Sequence, residues 1–231
     1  IRFNYCAGAY SWGTTLTPGS EGVGIGLDDR TRDVQVYGNY CVGNEGNGIQ
    51  VNSGYGNAVY GNICVDNFRF RPGRVCVPRE MDSAQIAYVK TPGLLIFNNT
   101  CISTGQVHQK YGISEAYSGV PSTGGRVFNN LLIGSSVSGL RLDNTGVSAT
   151  ENSNVVVGSP SLVLNISGGA TAAGAGTISA LAGNVAAEGP LYQPIAGSVC
   201  AGTGAAVPSI GVSFAGQPLA AETPIGAHHA A

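Results

Sequence analysis

The chain has 231 residues, 36 of which are glycine, while only 10% of its residues are charged and its formal net charge at pH 7 is −2. This length is enough for one domain with a sizeable core. The charge lacks the basic excess of a nucleic-acid-binding protein, and no apolar run is long enough for a membrane-spanning helix. The high glycine content instead favours a turn-rich repeat protein.

A six-residue pattern recurs along the chain. It consists of an aliphatic residue, usually an aromatic one, a small or amide residue, an asparagine, any residue, and then cysteine or leucine. The copies contain Asn4, Asn39, Asn62, Asn99 and Asn130. A second short segment of alternating apolar residues follows each copy, so every repeat predicts at least two short strands. The fixed motif with variable spacing predicts a solenoid whose longer repeats carry inserted loops.

Stacking of equivalent positions explains why these residue types recur. Neighbouring parallel strands lie ~4.8 Å apart, so each residue of one turn lies above the equivalent residue of the next. The aliphatic positions are therefore predicted to form an interior column. The asparagines are predicted to form an amide ladder at a bend, in which each side chain bonds to the next turn.

Cysteines occupy the last position of four copies, and Leu132 takes that position in the next copy. These cysteines are Cys6, Cys41, Cys64 and Cys101. Parallel stacking places their Cβ atoms about one strand spacing apart, longer than the ~3.8 Å typical of a disulfide, so we expect reduced thiols packed as hydrophobes. Pairing between Cys76 and Cys200 is left open. No Cys or His spacing predicts a zinc site.

These features resemble the parallel β-helix of the pectate-lyase-like superfamily, over roughly residues 1–166. Near the C-terminus, residues 214–218 followed by 225–227 are similar to the closing segment of secreted bacterial members. Ser213 and Leu219 stand where that segment usually has Asp and Arg, so the match is partial. The resemblance implies a right-handed parallel β-helix and a role in carbohydrate chemistry.

We predict an all-β fold: a right-handed parallel β-helix (solenoid) of about six turns over residues 1–187, followed by a tail over 188–231 that packs on or caps the solenoid. Ile1 begins in mid-repeat, and a bare first turn would expose a sheet edge that invites aggregation. We therefore expect an N-terminally incomplete sequence, a homo-oligomer, or a partner that covers this end.

A charged run over residues 28–33 follows the first alternating segment. Its adjacent carboxylates are compatible with a Ca²⁺ site. The expected arrangement is instead a solvated turn whose charges pair with one another. No metal ligand is therefore assigned, and the cofactor is left unknown, with Ca²⁺ as the candidate.

Cationic residues are confined to the first 141 positions, and two insertions in neighbouring repeats concentrate them. The insertions cover residues 66–82 and 106–111, with a further one over 117–125. Loops in adjacent turns are expected to rise side by side and to wall a groove along the solenoid. The resemblance implies that such a groove binds an extended polysaccharide.

The resemblance further implies an anionic-polysaccharide lyase, in which a base removes the proton at C5 while cations neutralise the sugar carboxylate. The catalytic candidates are Arg79, Lys90, His108, Lys110 and Tyr111, the last as proton donor to the leaving oxygen. The substrate-binding candidates are Arg69, Arg71, Arg74 and Glu115. Arginines can hold carboxylates bidentately. The plainer alternative is that these arginines pair with acidic residues of their own loop and only solubilise it.

Glu115 raises a separate question, because alternation from Ile113 directs its side chain into the interior column of Val51 and Leu142. A buried carboxylate must be paired or have a raised pKa. We expect the strand to end or bulge at Glu115. The alternative is that the buried carboxylate is held there for a purpose.

Glycoside hydrolysis ranks below elimination, because the Gly-His-Gly and Arg-Ile-Lys motifs implied by a resemblance to polygalacturonases do not occur. The leading expectation is a secreted or surface-exposed carbohydrate-active β-helix, either an anionic-polysaccharide lyase or depolymerase or a domain derived from one. The alternative is a non-catalytic structural or adhesive subunit that assembles with other chains. The low charge and the Gly and Ala content favour the alternative, whereas the Arg- and aromatic-rich insertion favours the lyase.

Overall fold

The computed structural model describes residues 1–10, 22–69, 84–105, 109–115, 122–142, 149–165, 176–180, 187–188, 193–194, 198–200, 203–207, 213–217 and 225–227. All regular elements in these ranges are β-strands, and three parallel sheets wind into a solenoid. The prediction of an all-β parallel β-helix is confirmed. Within the same ranges, no helix has the length and apolarity that crossing a bilayer requires.

Each coil contributes one strand to each of three sheets, in the order A, B, C. Sheet A comprises β4 (Gln35–Tyr37), β8 (Ala58–Tyr60), β11 (Leu95–Phe97), β14 (Arg126–Phe128) and β17 (Thr150–Asn152). Sheet B comprises β1 (Tyr5–Ala7), β5 (Tyr40–Val42), β9 (Ile63–Val65), β12 (Thr100–Ile102), β15 (Leu131–Ile133), β18 (Val155–Val157) and β20 (Ile178–Ala180). Sheet C comprises β2 (Ile25–Leu27), β6 (Ile49–Asn52), β10 (Ala84–Val89), β13 (Tyr111–Glu115), β16 (Ser138–Leu142) and β19 (Ser161–Asn165).

Two smaller pairs complete the described strands. They are the parallel pair β3 (Thr31–Arg32) with β7 (Gly54–Tyr55) and the antiparallel pair β21 (Ala187–Glu188) with β22 (Gln193–Pro194). The chain makes four full rotations between β4 and β17, with partial turns on either side, so the number of turns is smaller than predicted. We term the end that carries β1 and β2 the upper end.

The inward-facing aliphatic residues form the predicted column. In sheet A the register aligns Val36, Val59, Ile96 and Val127. All four side chains are at most 1% exposed. Burying such a side chain fully is worth about 1.5–3 kcal/mol relative to leaving it exposed, so each turn is stabilised mainly by its neighbours.

The recurring asparagines form the predicted amide ladder along the bend between sheets A and B. Each Nδ2 donates to the next Oδ1 at 2.9–3.0 Å, in the order Asn4, Asn39, Asn62, Asn99, Asn130, Asn154. Each Oδ1 also accepts a backbone N–H from the turn above, as in the 3.0 Å bond from Asn39 N to Asn62 Oδ1. At the lower end, Asn154 Nδ2 donates to Glu151 Oε2 at 3.1 Å and Thr177 takes the next position. The ladder therefore joins every coil to the next.

A second amide ladder, which the repeat pattern did not predict, follows the corner between sheets B and C. Asn44 Nδ2 donates to Asn67 Oδ1 at 2.7 Å, and Asn67 Nδ2 donates to Gln85 Oε1 at 2.5 Å. Gln85 Nε2 continues to Gln109 Oε1 at 2.6 Å. Asn44 and Asn67 each follow an asparagine of the first ladder by five positions, so this part of the second ladder could have been predicted from the sequence. Gln85 comes from the next strand, β10, and Gln109 lies two residues before β13, so neither keeps that spacing.

The stacked cysteines are free thiols, as expected from their repeat position. The register aligns Cys6, Cys41, Cys64 and Cys101 in sheet B. Hydrogen bonding to the Cys64 thiol, together with burial, raises the pKa of Cys41, and bonding to Cys101 raises that of Cys64. Cys200 is also free, and burial raises its pKa to about 12, whereas Cys76 lies outside the described residues.

We expect iodoacetamide at mildly alkaline pH to alkylate Cys41, Cys64 and Cys101 very slowly in the folded protein, because all three side chains are buried and inaccessible to the reagent. For Cys41 and Cys64 the raised pKa also disfavours the thiolate, which is the nucleophile. Peptide-resolved mass spectrometry after a short pulse measures this. Cys6 is half-buried and should react first, so it serves as the internal comparison. Fast labelling of Cys64 without unfolding would contradict the buried column.

A stack of aromatic rings runs along the outer face of sheet A. Tyr37, Tyr60, Phe97 and Phe128 follow one another with centroid separations of 4.8–5.1 Å. Offset-stacked rings at such distances contribute about 0.5–1.5 kcal/mol per pair beyond their buried area. The outer face of sheet A is therefore stabilised by its own column of contacts.

Described parts of the C-terminal tail pack against the sides of sheets A and B. Asn129 Nδ2 donates to Ala205 O, and Ala205 N donates to Asn129 Oδ1, both at 2.7 Å. Asn98 Nδ2 donates to Gly226 O at 3.1 Å, and Ala227 N donates to Thr100 Oγ1 at 2.9 Å. These contacts hold the described tail residues against the outer sides of sheets A and B.

Candidate functional site

A polar groove lies on the outer face of sheet C at its upper strands, β2 and β6. It encloses about 410 Å³ and is lined by Gly22, Val23, Gly26, Leu27, Asp28, Gln50 and Asn52. We call it the sheet C groove. Its volume falls within the range of small-molecule and sugar-sized sites.

Strand alternation places the polar side chains in this groove. In β6, Ile49 and Val51 are fully buried, so the pleat turns Gln50 and Asn52 outward. In β2, Gly26 faces outward beside them, and the space where its Cβ would be is empty to at least 4 Å. The missing side chain therefore leaves room for a ligand next to Gln50.

Hydrogen bonds orient the polar groups of the groove. Asn47 Nδ2 donates to Gln50 Oε1 at 3.0 Å, and Asn52 Nδ2 donates to Asp28 Oδ1 at 3.1 Å. The Asp28 carboxylate and the Asn52 amide each have more hydrogen-bonding positions than this one bond uses. Amide and carboxylate groups fixed in this way can bind the hydroxyl groups of a ligand without first being ordered.

Lys90 lies next to the groove, just after the C-terminal end of β10. Val89, the residue before Lys90, pairs with Asn52. Lys90 therefore lies beside Ser53, the residue after Asn52. The backbone of Gly54 donates to Lys90 O at 3.3 Å, and the Lys90 side chain is exposed. Of the predicted catalytic residues in the described ranges, it is the one next to the groove.

Lys110 and Lys90 do not converge. Tyr111 pairs with Ala84, so Lys110 precedes the sheet C strands, whereas Lys90 follows them. At ~3.3 Å per residue the two lysines are roughly 20 Å apart along the strand direction. They cannot share one catalytic centre.

The lower part of the outer face of sheet C is closed. The outward residues Ala87, Ser114 and Arg141 are all buried. The Arg141 guanidinium carbon lies 5.4 Å from the ring centroid of Tyr111, a cation–π distance. Tyr111, a predicted proton donor, is therefore packed under Arg141 and is 7% exposed.

Glu115 is the last residue of β13, and the strand end does not keep its side chain out of the interior. The side chain is 2% exposed and lies in the interior beside Tyr88, its register partner. Tyr88 Oη donates to Glu115 Oε2 and Ser122 N donates to Glu115 Oε1, both at 3.4 Å. These donors hold the carboxylate inside at the end of the strand. Glu115 thus faces away from the sheet C groove.

The remaining predicted site residues are Arg69, Arg71, Arg74, Arg79 and His108. Arg69 is exposed, and its backbone N donates to Asn44 O at 3.0 Å beside the second amide ladder. Arg71, Arg74, Arg79 and His108 lie outside the described residues. The grouping of these cations in one groove stays a prediction.

The charged run over residues 28–33 makes contacts other than the expected internal pairs. Asp28 bonds Asn52, and the Arg32 guanidinium carbon lies 4.8 Å from the ring centroid of Tyr55. In the ranges that the structure describes, no three His, Cys, Asp or Glu side chains are grouped closely enough to hold a metal ion. The polar residues of the groove, Gln50 and Asn52, were not predicted, although their alternation with Ile49 and Val51 was readable.

Comparison of the sequence with protein-family models and with curated proteins gives no match. The structure shows a parallel β-helix with interior columns and an asparagine ladder, and membership of the pectate-lyase-like superfamily stays a prediction.

Proposed function

We propose that this chain is a polysaccharide-binding parallel β-helix of the carbohydrate-active, pectate-lyase-like kind, and that its ligand lies along the outer face of sheet C. The observation that carries the proposal is the sheet C groove, in which Asp28, Gln50 and Asn52 present oriented polar groups on adjacent strands. A polymeric ligand of this class also implies action outside the cell, as a secreted or surface-exposed protein.

The groove suits a glycan for two physical reasons. Its polar groups are neutral amides and one carboxylate, which match hydroxyl donors and acceptors. Asp28 and Asn52 also occupy equivalent positions on neighbouring coils, ~4.8 Å apart, so a ligand that crosses from β2 to β6 meets a polar group on each.

Loss of binding should follow from removing the groove amides. We expect Gln50→Ala with Asn52→Ala to weaken binding of soluble glycans by tenfold or more, since each lost hydrogen bond contributes about 0.5–1.5 kcal/mol. Affinity electrophoresis or calorimetry with pectate, alginate and glycosaminoglycans measures this. Thr150→Ala, at an exposed position on sheet A, is the control. Unchanged binding in the double variant would show that the ligand lies elsewhere.

Depolymerisation by elimination is part of the proposal. It predicts a rise in the ultraviolet absorbance of unsaturated uronides when the chain is incubated with these polymers, with and without Ca²⁺. The rise should be lost in Arg79→Ala, a candidate for the base. Binding without any rise would indicate a non-catalytic glycan-binding domain.

A structural role is the second candidate, and a different observation favours it. The asparagine ladder and the aromatic stack run without interruption through successive coils. Such continuous columns suit a stiff stem or fibre subunit. Failure to bind any glycan in the assay above would favour this role.

A further inference from the structure

A column of three residues stands beside the sheet C groove, at the point where each upper coil leaves sheet C. Thr31 pairs with Gly54, so Arg30 lies beside Ser53, and Asn52 pairs with Val89, so Ser53 lies beside Lys90. We call Arg30, Ser53 and Lys90 the cation column. Ser53 follows the groove residue Asn52 directly, whereas in the coil above the exposed Asp29 stands between the groove residue Asp28 and Arg30.

The three residues share one unusual backbone conformation. Their φ angles are 67°, 59° and 52° for Arg30, Ser53 and Lys90 respectively, all in the left-handed region. Side chains at equivalent positions with the same backbone conformation leave the chain in the same direction. The side chains of Arg30, Ser53 and Lys90 therefore leave the backbone in the same direction, and Ser53 lies between the two cations.

Neither cation of the column is neutralised by a described carboxylate. Both side chains are exposed, and across the ranges that the structure describes neither makes an ion pair. Asp28 of the groove accepts a hydrogen bond from Asn52, and the exposed Asp29 directly precedes Arg30. Two unpaired cations next to a polar groove attract an anionic ligand.

The spacing of the cations limits the kind of anion. Arg30 and Lys90 are two coils apart, which is about 10 Å at ~4.8 Å per coil. This length approximates one disaccharide of an extended glycan that crosses the strands. The middle position offers a hydroxyl, which can serve a neutral sugar.

We propose that the cation column selects glycans that carry one anionic group per disaccharide, a carboxylate or a sulfate ester, over glycans that carry one on every sugar. This inference rests on the proposed function, because the same polymer must occupy the sheet C groove. It assigns Arg30 and Lys90 to successive anions and Ser53 to the neutral sugar between them.

The test compares oligosaccharides of matched length by calorimetry. Hyaluronan has one carboxylate per disaccharide, keratan sulfate offers sulfate esters without carboxylates, and polygalacturonate has one carboxylate on every sugar. Binding of hyaluronan or keratan sulfate should be tighter than binding of polygalacturonate, and the better of the two identifies the anion. Tighter binding of polygalacturonate would overturn the inference.

Single variants assign the effect to residues. Arg30→Gln and Lys90→Gln should each weaken binding of the preferred glycan about two- to fivefold, as expected for an exposed ion pair, and should reduce its salt dependence. Arg126→Gln removes an exposed cation from sheet A and should leave binding unchanged. Equal effects of all three variants would show that only net charge matters and would overturn the inference.

A gain of function gives the sharpest test. Ser53→Lys fills the middle position with a cation, and Lys90 shows that lysine adopts this backbone conformation. The variant should bind polygalacturonate more tightly and lose its preference for one anion per disaccharide. An unchanged preference would overturn the inference. Loss of binding in the groove variants, with no effect of any cation variant, would keep the proposed function and reject the cation column.

Discussion

Replacing Asn62 with alanine is expected to reduce the free energy of unfolding by about 3–5 kcal/mol, because the change strands several buried backbone groups at once, each worth about 1–3 kcal/mol. Asn62 Nδ2 donates to Val36 O at 2.9 Å and to Tyr60 O at 3.1 Å, and its Oδ1 accepts from Asn39 N at 3.0 Å. The midpoint of guanidinium unfolding, followed by circular dichroism, measures the loss.

Asn4→Ala is the matched control, because Asn4 occupies the same ladder position at the exposed upper end. Its groups can be satisfied by water, so we expect a loss below about 1 kcal/mol. Equal losses at Asn4 and Asn62 would mean that the ladder contributes little beyond a surface hydrogen bond.

Replacing Gly134 with alanine is expected to be at least as damaging, for a steric reason. Gly134 has a φ of 73°, and a Cβ there would lie 2.1 Å from the carbonyl oxygen of Ser103 in the coil above. That coil is fixed by the 2.8 Å bond from Ser103 N to Ile133 O, so the backbone has little freedom to move aside. Backbone strain of about 1–2 kcal/mol adds to the overlap.

Gly158→Ala separates the two contributions. Gly158 occupies the equivalent position one coil lower with a φ of 67°, and no atom lies within 4 Å of the point that its Cβ would occupy. This variant should lose only the backbone strain, about 1–2 kcal/mol. Gly134→Ala should lose at least about 2 kcal/mol more, or fail to accumulate as folded protein. Similar stabilities of the two variants would contradict the close approach at Ser103.

The fold could be predicted because its periodic positions each have one physical task. Asn62 must bond two coils and Cys64 must fill an interior of fixed width, so neither position tolerates much variety. The second ladder was not predicted, because some of its positions hold asparagine and others glutamine. Gln85 also lies in a strand rather than at a bend. A ladder whose members change residue type leaves no fixed motif in the sequence.

The candidate site was harder to predict. The search for a site followed the cationic residues, which cluster in the loop insertions, whereas the groove amides Gln50 and Asn52 lie on a strand. Lys90 and Lys110 lie in neighbouring repeats and were predicted to act together. The strand register places them at opposite ends of the sheet C strands. Glu115 shows the converse: alternation correctly directed it inward, and two donors that are distant in sequence, from Tyr88 and Ser122, make the interior acceptable to it.

The asparagine ladder also has a polarity. Every Nδ2 donates toward the C-terminal end, so the six amide dipoles point the same way and their partial charges add, as peptide dipoles do in an α-helix. The donor end meets the Glu151 carboxylate, 3.1 Å from Asn154 Nδ2. One reversed amide would set two donors or two acceptors face to face, so the orientation is shared by the whole column. The solenoid thus carries an axial electric dipole, with an anion placed at its positive pole.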